Sequence, residues 1–391
     1  MPTRNNLYIF ILALGVFGIL TTEMGIVGIL PLIADYYQIS IAKASLLVSL
    51  FALAVAISGP IMPLLFSGIN RKKVMILVLG LFLLGNIVSI FASNFTVLLL
   101  ARVIPAFFHP VYCSLALTAA AASVRKEEAP KAVSKVMMGV NAGMILGVPI
   151  TNFIGNGTSL EVAMLFFAIL NALALLATLF FVPSLPVKEK LSYGAQLNVL
   201  KKPLVWTAIA TVIFIGSATS GVNSFIAEYL ENVTNISGNF LSIMLFIFGL
   251  ASLLGNFIGG NLLSRTPIKT TTLFPVVLGI AYLLSFVTGE TPSTMIVTIF
   301  LWGILFSVGS MINQYSMTHA APEAPDFANG LFLSGGNLGI TIGTAIGGLF
   351  ISGLGTQYIV IGGILFLILS LGSILLTNYM IRPGKQLTGI N

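Results

Sequence analysis

Residues 7–32 read LYIFILALGVFGILTTEMGIVGILPL. At 1.5 Å per helical residue this run is long enough to cross a hydrocarbon core about 30 Å thick. One ionisable group, Glu23, lies inside it. An ionised carboxylate near a bilayer centre costs roughly 3 kcal/mol or more, so it is expected to hold a partner or a proton. A carboxyl group that can take up a proton suits a proton-coupled machine, and the rest of the chain decides what kind.

The composition places the whole chain in the membrane class. Of the 391 residues 57% are hydrophobic and 7% charged, against about 25% charged in a soluble domain. Such a chain cannot cover a water-facing surface. Cys113 is the only cysteine, so an internal disulfide and a dithiol redox motif are excluded. The net charge of +7 is spread over short loops, which argues against a nucleic-acid face. The first apolar run exceeds a signal h-region and lacks a small-residue cleavage site, so no cleavable leader is expected.

Apolar segments of about membrane length recur to the end of the chain. They predict spans near 6–32, 42–67, 74–94, 96–122, 132–156, 161–183, 204–230, 239–263, 270–289, 292–319, 327–352 and 357–380. The runs are continuous rather than alternating, so helices are expected and a barrel is not. With the N-terminus in the cytoplasm, one side holds Arg4, Arg71, Lys72, Lys73, Arg125, Lys126, Lys131, Lys135, Lys188, Lys190, Lys201, Lys202, Arg265, Lys269, Arg382 and Lys385. The other side holds Lys43, and Arg102 falls inside a span. This positive-inside bias predicts that both termini are cytoplasmic.

The two halves echo each other at an offset of about 196 residues. Asn141, Gly143 and Gly147 in the fifth span reappear as Asn337, Gly339 and Gly343 in the eleventh, and Ile39-Ser40 reappears as Ile236-Ser237. The expectation is an all-α membrane protein of 12 transmembrane helices in two pseudo-symmetric six-helix bundles. Residues 1–183 form the first, 184–203 a cytoplasmic central loop, and 204–391 the second. Parallel repeats around a central site are a transporter architecture.

Three stretches carry a family resemblance: TTEMGIVGILPLIADYYQIS (21–40), LLLARVIPAFFHP (98–110) and GVNAGMILGVP (139–149). APEAPDFANGLFLSGGNLGITIGTAIGG (321–348) adds to it in the second half. From first span to twelfth the chain resembles the major facilitator superfamily, in its drug:proton antiporter group, which includes arabinose and purine efflux permeases. The resemblance implies proton-coupled efflux of a small organic molecule such as a drug, purine or sugar across the cytoplasmic membrane. The alternative is an uptake symporter or facilitator. It implies a monomer, with the proton gradient rather than a cofactor as energy source. Two departures stand out. Ser67 in FSGINRKK occupies the place of the family's usual Asp, echoed by Ser264, so the charge latch between the halves is expected to be weak. Pro105, His109 and Pro110 interrupt the usual small-residue stretch of the fourth span.

Within this frame Glu23 is the expected proton carrier. Counting residues puts Arg102 at a similar depth, so the two are expected to pair. His109 lies two helical turns beyond Arg102 and is either a second proton stop or a neutral group on a carbonyl released by Pro110. Glu228 supplies a further acid, as a vestibule group or a solvated helix end. The remaining acids, Asp326 among them, sit at loops or helix ends. The expected solute lining is Met24, Phe107, Phe108, Tyr112, Asn223, Phe225, Tyr229, Trp302, Phe306, Asn313 and Gln314, from spans one, four, seven and ten. Aromatic rings with a few amides suit a moderately apolar organic solute. Gly143, Gly147, Pro149, Gly339 and Gly343, with Arg71 and Lys72, are the expected conformational-switch residues. The sequence contains no phosphate loop, metal cluster or catalytic constellation, so an enzyme is not expected.

Overall fold

The computed structural model describes residues 2–39, 41–44, 46–184, 193–236 and 238–381. Lys188, Lys190, Arg382, Lys385, Ser40, Ser237 and the side chain of Arg4 lie outside that description. The regular structure among the described residues is α- and 3-10 helix, with no strand.

Eleven described helices are long and apolar enough to cross a bilayer. They are the first span (Asn6–Tyr36), the third to sixth (Arg71–Ile90, Phe95–Ala122, Lys126–Gly157, Leu160–Phe181), the seventh to tenth (Pro203–Asn223, Ile243–Arg265, Pro267–Thr288, Pro292–Ala320), and the eleventh and twelfth (Pro325–Leu354, Thr356–Ile381). The expected second span is split into Leu46–Ser58 and Met62–Phe66. Gly59-Pro60 lies between the pieces, and proline can neither donate to the ladder nor clear the preceding turn.

Three further spans are broken at places that matter for the site. The first runs as an α-helix over Pro2–Gly25, tightens to a 3-10 turn over Ile26–Ile29, and resumes over Leu30–Tyr36. Pro31 explains the break, because its nitrogen cannot complete the helical ladder across Val27. The fourth stops at Ala106 and restarts at His109, with Pro110 playing the same part. The seventh stops at Asn223 and restarts over Ile226–Asn232 without a proline. Here Ser224 Oγ donates to the Ser220 carbonyl beside the ladder bond from its own N–H, a back-bonding that bends helices.

The chain divides into two compact units. Unit 1 comprises residues 1–196 with 325–334; unit 2 comprises 197–324 with 335–391. In unit 1 the first span packs along the fifth and sixth, and the third packs on the sixth and fourth. In unit 2 the seventh packs on the twelfth and tenth, and the eighth on the tenth.

The glycine rows explain the closest approaches. A Cβ on Gly147 would stand 3.3 Å from Gly25 N and 3.4 Å from Thr21 Cα, and one on Gly343 would stand 2.4 Å from Ser217 O and 3.0 Å from Gly221 N. Small residues let helix backbones touch where lipid tails offer no hydrophobic drive to associate. These partners lie in the same unit as each glycine. The rows join span one to five and span seven to eleven. Pro149 lies within the fifth helix, which continues through it.

Candidate functional site

Unit 1 gathers ionisable groups at the break in its first span. Glu23 lies in the last turn before the 3-10 segment, and His109 opens the second half of the fourth span. His109 Nε2 stands 3.3 Å from Glu23 Oε2. Both side chains are largely buried, at 6% and 14% exposure. Cys113 Sγ is 3.6 Å from the same nitrogen, and the Phe51 ring meets the imidazole edge-on at 6.1 Å. The contact is a close approach rather than a formed hydrogen bond: Glu23 Oε2 is buried with no hydrogen-bond partner.

Arg102 is buried beside them but reaches elsewhere. Its Nη2 donates to the Thr22 carbonyl, in the final turn of the first half-helix. Carbonyls there lack full helical partners, and the negative end of the helix dipole favours a cation. The guanidinium also stands 5.8 Å from the centre of the Phe167 ring, within cation–π range. Thr22 is held from behind as well: its Oγ1 donates to Gly18 O and accepts from Asn171 Nδ2 at 2.9 Å. Arg102 Nε and Nη1 and His109 Nδ1 are buried with no hydrogen-bond partner.

Two expectations need correction here. Among the described residues no ion pair joins Glu23 to Arg102; the acid meets His109 instead. The depth count treated the fourth span as one straight helix. The turn at Phe107-Phe108 resets it and brings His109 round to Glu23. Nor does His109 serve a carbonyl released by Pro110. The structure thus brings Glu23, Arg102 and His109 together, whereas Glu228 belongs to unit 2, half-buried in the short helix Ile226–Asn232.

Arg71 finds an acid within its own unit. Arg71 Nη2 lies 3.4 Å from Asp326 Oδ2, and both belong to unit 1. Ser114 Oγ donates to the Asp326 carbonyl at 2.6 Å, and Asn329 Nδ2 donates to Thr118 at 3.1 Å. Ser67 at the usual acid's position therefore does not leave Arg71 idle. Asp326, set aside in the sequence as a helix-end acid, is its partner. Lys72 donates to the Leu179 carbonyl at 2.9 Å.

Unit 2 holds a small cavity at the corresponding break in the seventh span. Thr219, Val222 and Asn223 line it from the last turn before the break, with Phe248, Leu278, Tyr282, Trp302 and Phe306. The lining contains no carboxylate, lysine, arginine or histidine. Trp302 packs against Tyr282 and Tyr229 at ring separations of 5.4 and 5.8 Å, and Phe248 against Phe306 at 5.7 Å. Both tyrosine hydroxyls are engaged: Tyr282 donates to Ala218 O and Tyr229 to Ser285 O. The Trp302 indole N–H is buried without an acceptor.

Of the expected solute lining, Asn223, Trp302 and Phe306 border this cavity. Tyr229 backs the tryptophan from outside it. Phe225 lies against Gly347 of the eleventh span. Asn313 donates to Val212 O, and Gln314 is buried one residue on. Met24, Phe107, Phe108 and Tyr112 belong to unit 1; Tyr112 is fully buried against Gly15 and Phe108 meets Phe66 edge-on. Phe248 and Tyr282 were missed because the eighth and ninth spans were not counted as lining. A tyrosine in mid-span, whose hydroxyl needs an acceptor in a buried setting, was the available signal.

The profile of the Major Facilitator Superfamily matches residues 12–324 and 208–388. The inner membrane transport protein YdhP of Escherichia coli (strain K12) is 29% identical over 360 residues, covering 92% of each chain. A probable sugar efflux transporter of Helicobacter pylori (strain P12) is 29% identical over 364 residues, again covering 92% of each. Among solved structures, the E. coli fucose:proton symporter FucP superposes with a TM-score of 0.73 at 16% identity, over 94% of this chain and 98% of its own. The chain belongs to the major facilitator superfamily. It is a multi-pass membrane transporter of small solutes and not an enzyme.

Proposed function

We propose that this transporter exports a small organic solute across the cytoplasmic membrane in exchange for protons, with both termini in the cytoplasm. The observation that carries the proposal is the buried Glu23–His109 contact at the broken first span. A carboxyl group in the membrane interior is retained at a cost, and such groups mark ion and proton pathways. At 3.3 Å the two groups are close enough for a proton to pass between them once their geometry tightens. When the proton leaves, the carboxylate is left among Arg102, His109 and the end of a half-helix. Glu23 carries the proton, His109 relays it, and Arg102 answers the change in charge.

Export rather than uptake draws support from the probable sugar efflux transporter among the relatives and from the antiporter-like GVNAGMILGVP stretch. The test is transport in everted membrane vesicles loaded with an imposed pH gradient, using radiolabelled neutral sugars, purines and drugs. Accumulation driven by an acid lumen and abolished by a protonophore is expected. Accumulation driven by an alkaline lumen would instead identify a symporter.

A further inference from the structure

Resting on the transport reading above, we infer that the unit-2 cavity binds the solute, and that the solute is a flat, uncharged ring bearing a hydrogen-bond acceptor that the Trp302 indole N–H engages.

Three observations converge on this. First, the cavity wall is aromatic on several sides: Phe248, Tyr282, Trp302 and Phe306. Aromatic faces hold flat rings by stacking over a large area at small entropic cost. Second, no charged side chain lines the cavity, and burying an unpaired charge there would be expensive. Third, Trp302 is 3% exposed and its N–H lacks an acceptor. An unmet buried donor costs about 1–3 kcal/mol, and a ligand acceptor relieves that cost.

The same features decide against two competing ligand classes. A lipophilic cation would find ring faces, but it would leave the indole donor unmet and find no acid. A sugar carries several hydroxyls, each needing a partner when buried. The tyrosine hydroxyls are already bound to backbone carbonyls, and Thr219 donates to Ile215 O. The Tyr282 and Thr219 oxygens keep only lone pairs to offer, so a sugar's several oxygens outnumber the N–H donors of Asn223 and Trp302. A planar heterocycle with one or two carbonyl or ring-nitrogen acceptors fits both numbers. The void itself has room for about one water molecule, so a ring enters by parting the Phe248–Phe306 pair, of which Phe306 is only half-buried.

The chain supplies its own reporter. It has two tryptophans. Trp206 is 58% exposed and donates to Leu200 O, so Trp206→Phe leaves Trp302 as the sole emitter without touching the cavity. Purified full-length Trp206→Phe protein is titrated with caffeine and hypoxanthine as flat acceptor rings, L-arabinose as a sugar, and tetraphenylphosphonium as a cation. Saturable quenching of Trp302 by caffeine or hypoxanthine is expected, with little change from arabinose or the cation. In otherwise wild-type protein, Trp302→Phe keeps a ring and removes the donor. It is expected to weaken binding of the active ring at least tenfold, read as lost thermal stabilisation. Should Trp302→Phe fold poorly, Asn223→Ala is scored the same way. The inference is overturned if neither flat ring binds, if arabinose or the cation binds more tightly, or if binding survives both substitutions unchanged. Vesicle transport is scored separately. Ring binding without proton-driven export overturns the transport reading alone, and export of a sugar without ring binding overturns this inference alone.

Discussion

The first and seventh spans break at matching places and carry opposite chemistry. Gly147 meets Gly25 and Thr21, and Gly343 meets Gly221 and Ser217, so the repeat offset read from the sequence holds in the packing. At that offset Thr219 is the counterpart of Glu23. Unit 1 fills the break with a carboxyl, an imidazole and a guanidinium. Unit 2 places a hydroxyl there and opens an uncharged aromatic cavity. On the proposed reading, one backbone plan serves two tasks. A charged cluster in a low-dielectric interior responds strongly to a proton, since Coulomb energies scale inversely with the dielectric constant. An uncharged cavity, if it holds the solute as proposed, would leave binding indifferent to that proton.

The sharpest way to break this division is to remove the acid. Glu23→Gln keeps the shape and removes the titration. Gradient-driven transport is expected to fall to the passive leak, while ring binding read by Trp302 fluorescence persists. If the variant still concentrates solute at the normal rate, the charged cluster is not the coupling site. The reverse exchange comes next. Thr219→Glu puts a carboxyl into unit 2 with no base in the cavity lining. A destabilisation of about 3 kcal/mol is expected, seen as lower membrane yield and a lower unfolding temperature, together with loss of ring binding. A stable, ring-binding Thr219→Glu protein would show that the two breaks are chemically interchangeable.

The packing beneath the two breaks also differs in tightness. An added methyl at Gly343 would meet Ser217 O at 2.4 Å, which is backbone and cannot swing away, whereas Gly147 has 3.3 Å to its nearest neighbour. Gly343→Ala is expected to cost about 1–3 kcal/mol as overpacking, and Gly147→Ala less, by thermal unfolding in detergent. Equal costs would mean that the seven–eleven seam relaxes as easily as the one–five seam. Smaller still is the coupling of Glu23 to His109. A double-mutant cycle with Glu23→Gln and His109→Gln is expected to show about 1 kcal/mol of non-additivity. Strict additivity would remove their contact from the mechanism.

How much of this could be read from the sequence follows from which physics is local. Span positions, the repeat and the isolated Glu23 depend on apolar run length and composition, which the chain displays directly. The partner of Glu23 depends on a two-residue turn at Phe107-Phe108, and counting along a straight helix cannot register it. Pro105, His109 and Pro110 marked the fourth span as irregular without saying how far its second half rotates. The Arg71–Asp326 contact joins residues 255 apart, and the sequence offered only a missing Asp at Ser67. The cavity was half legible: Asn223, Trp302 and Phe306 stood out as polar or aromatic groups in the expected spans. Phe248 and Tyr282 come from spans whose facing is decided by packing.

The smallest effect contrasts the two ion pairs beside the start of the eleventh span. Arg71 and Asp326 in unit 1 are 23% and 9% exposed, while Lys202 and Glu323 in unit 2 are 48% and 40% exposed. Partial burial pushes the Glu323 carboxyl upward, but the hydrogen bond and charge of Lys202 and a backbone N–H outweigh it and hold the group below the ordinary carboxylate range. A depressed folded value means the pair contributes its stability above the unfolded carboxylate pKa of about 4.3, and loses it as pH falls through the folded value. Solvent screening at that exposure limits the gain to about 1 kcal/mol or less. Glu323→Gln is therefore expected to lower the unfolding temperature slightly at pH 7 and not at all near pH 3, with the difference shrinking in high salt. A deficit that persists unchanged at pH 3 would assign the effect to lost packing rather than to charge. The Glu323 pair would then join the part-buried Arg71–Asp326 contact as a structural tie, and the contrast between a more and a less exposed pair would lose its electrostatic basis.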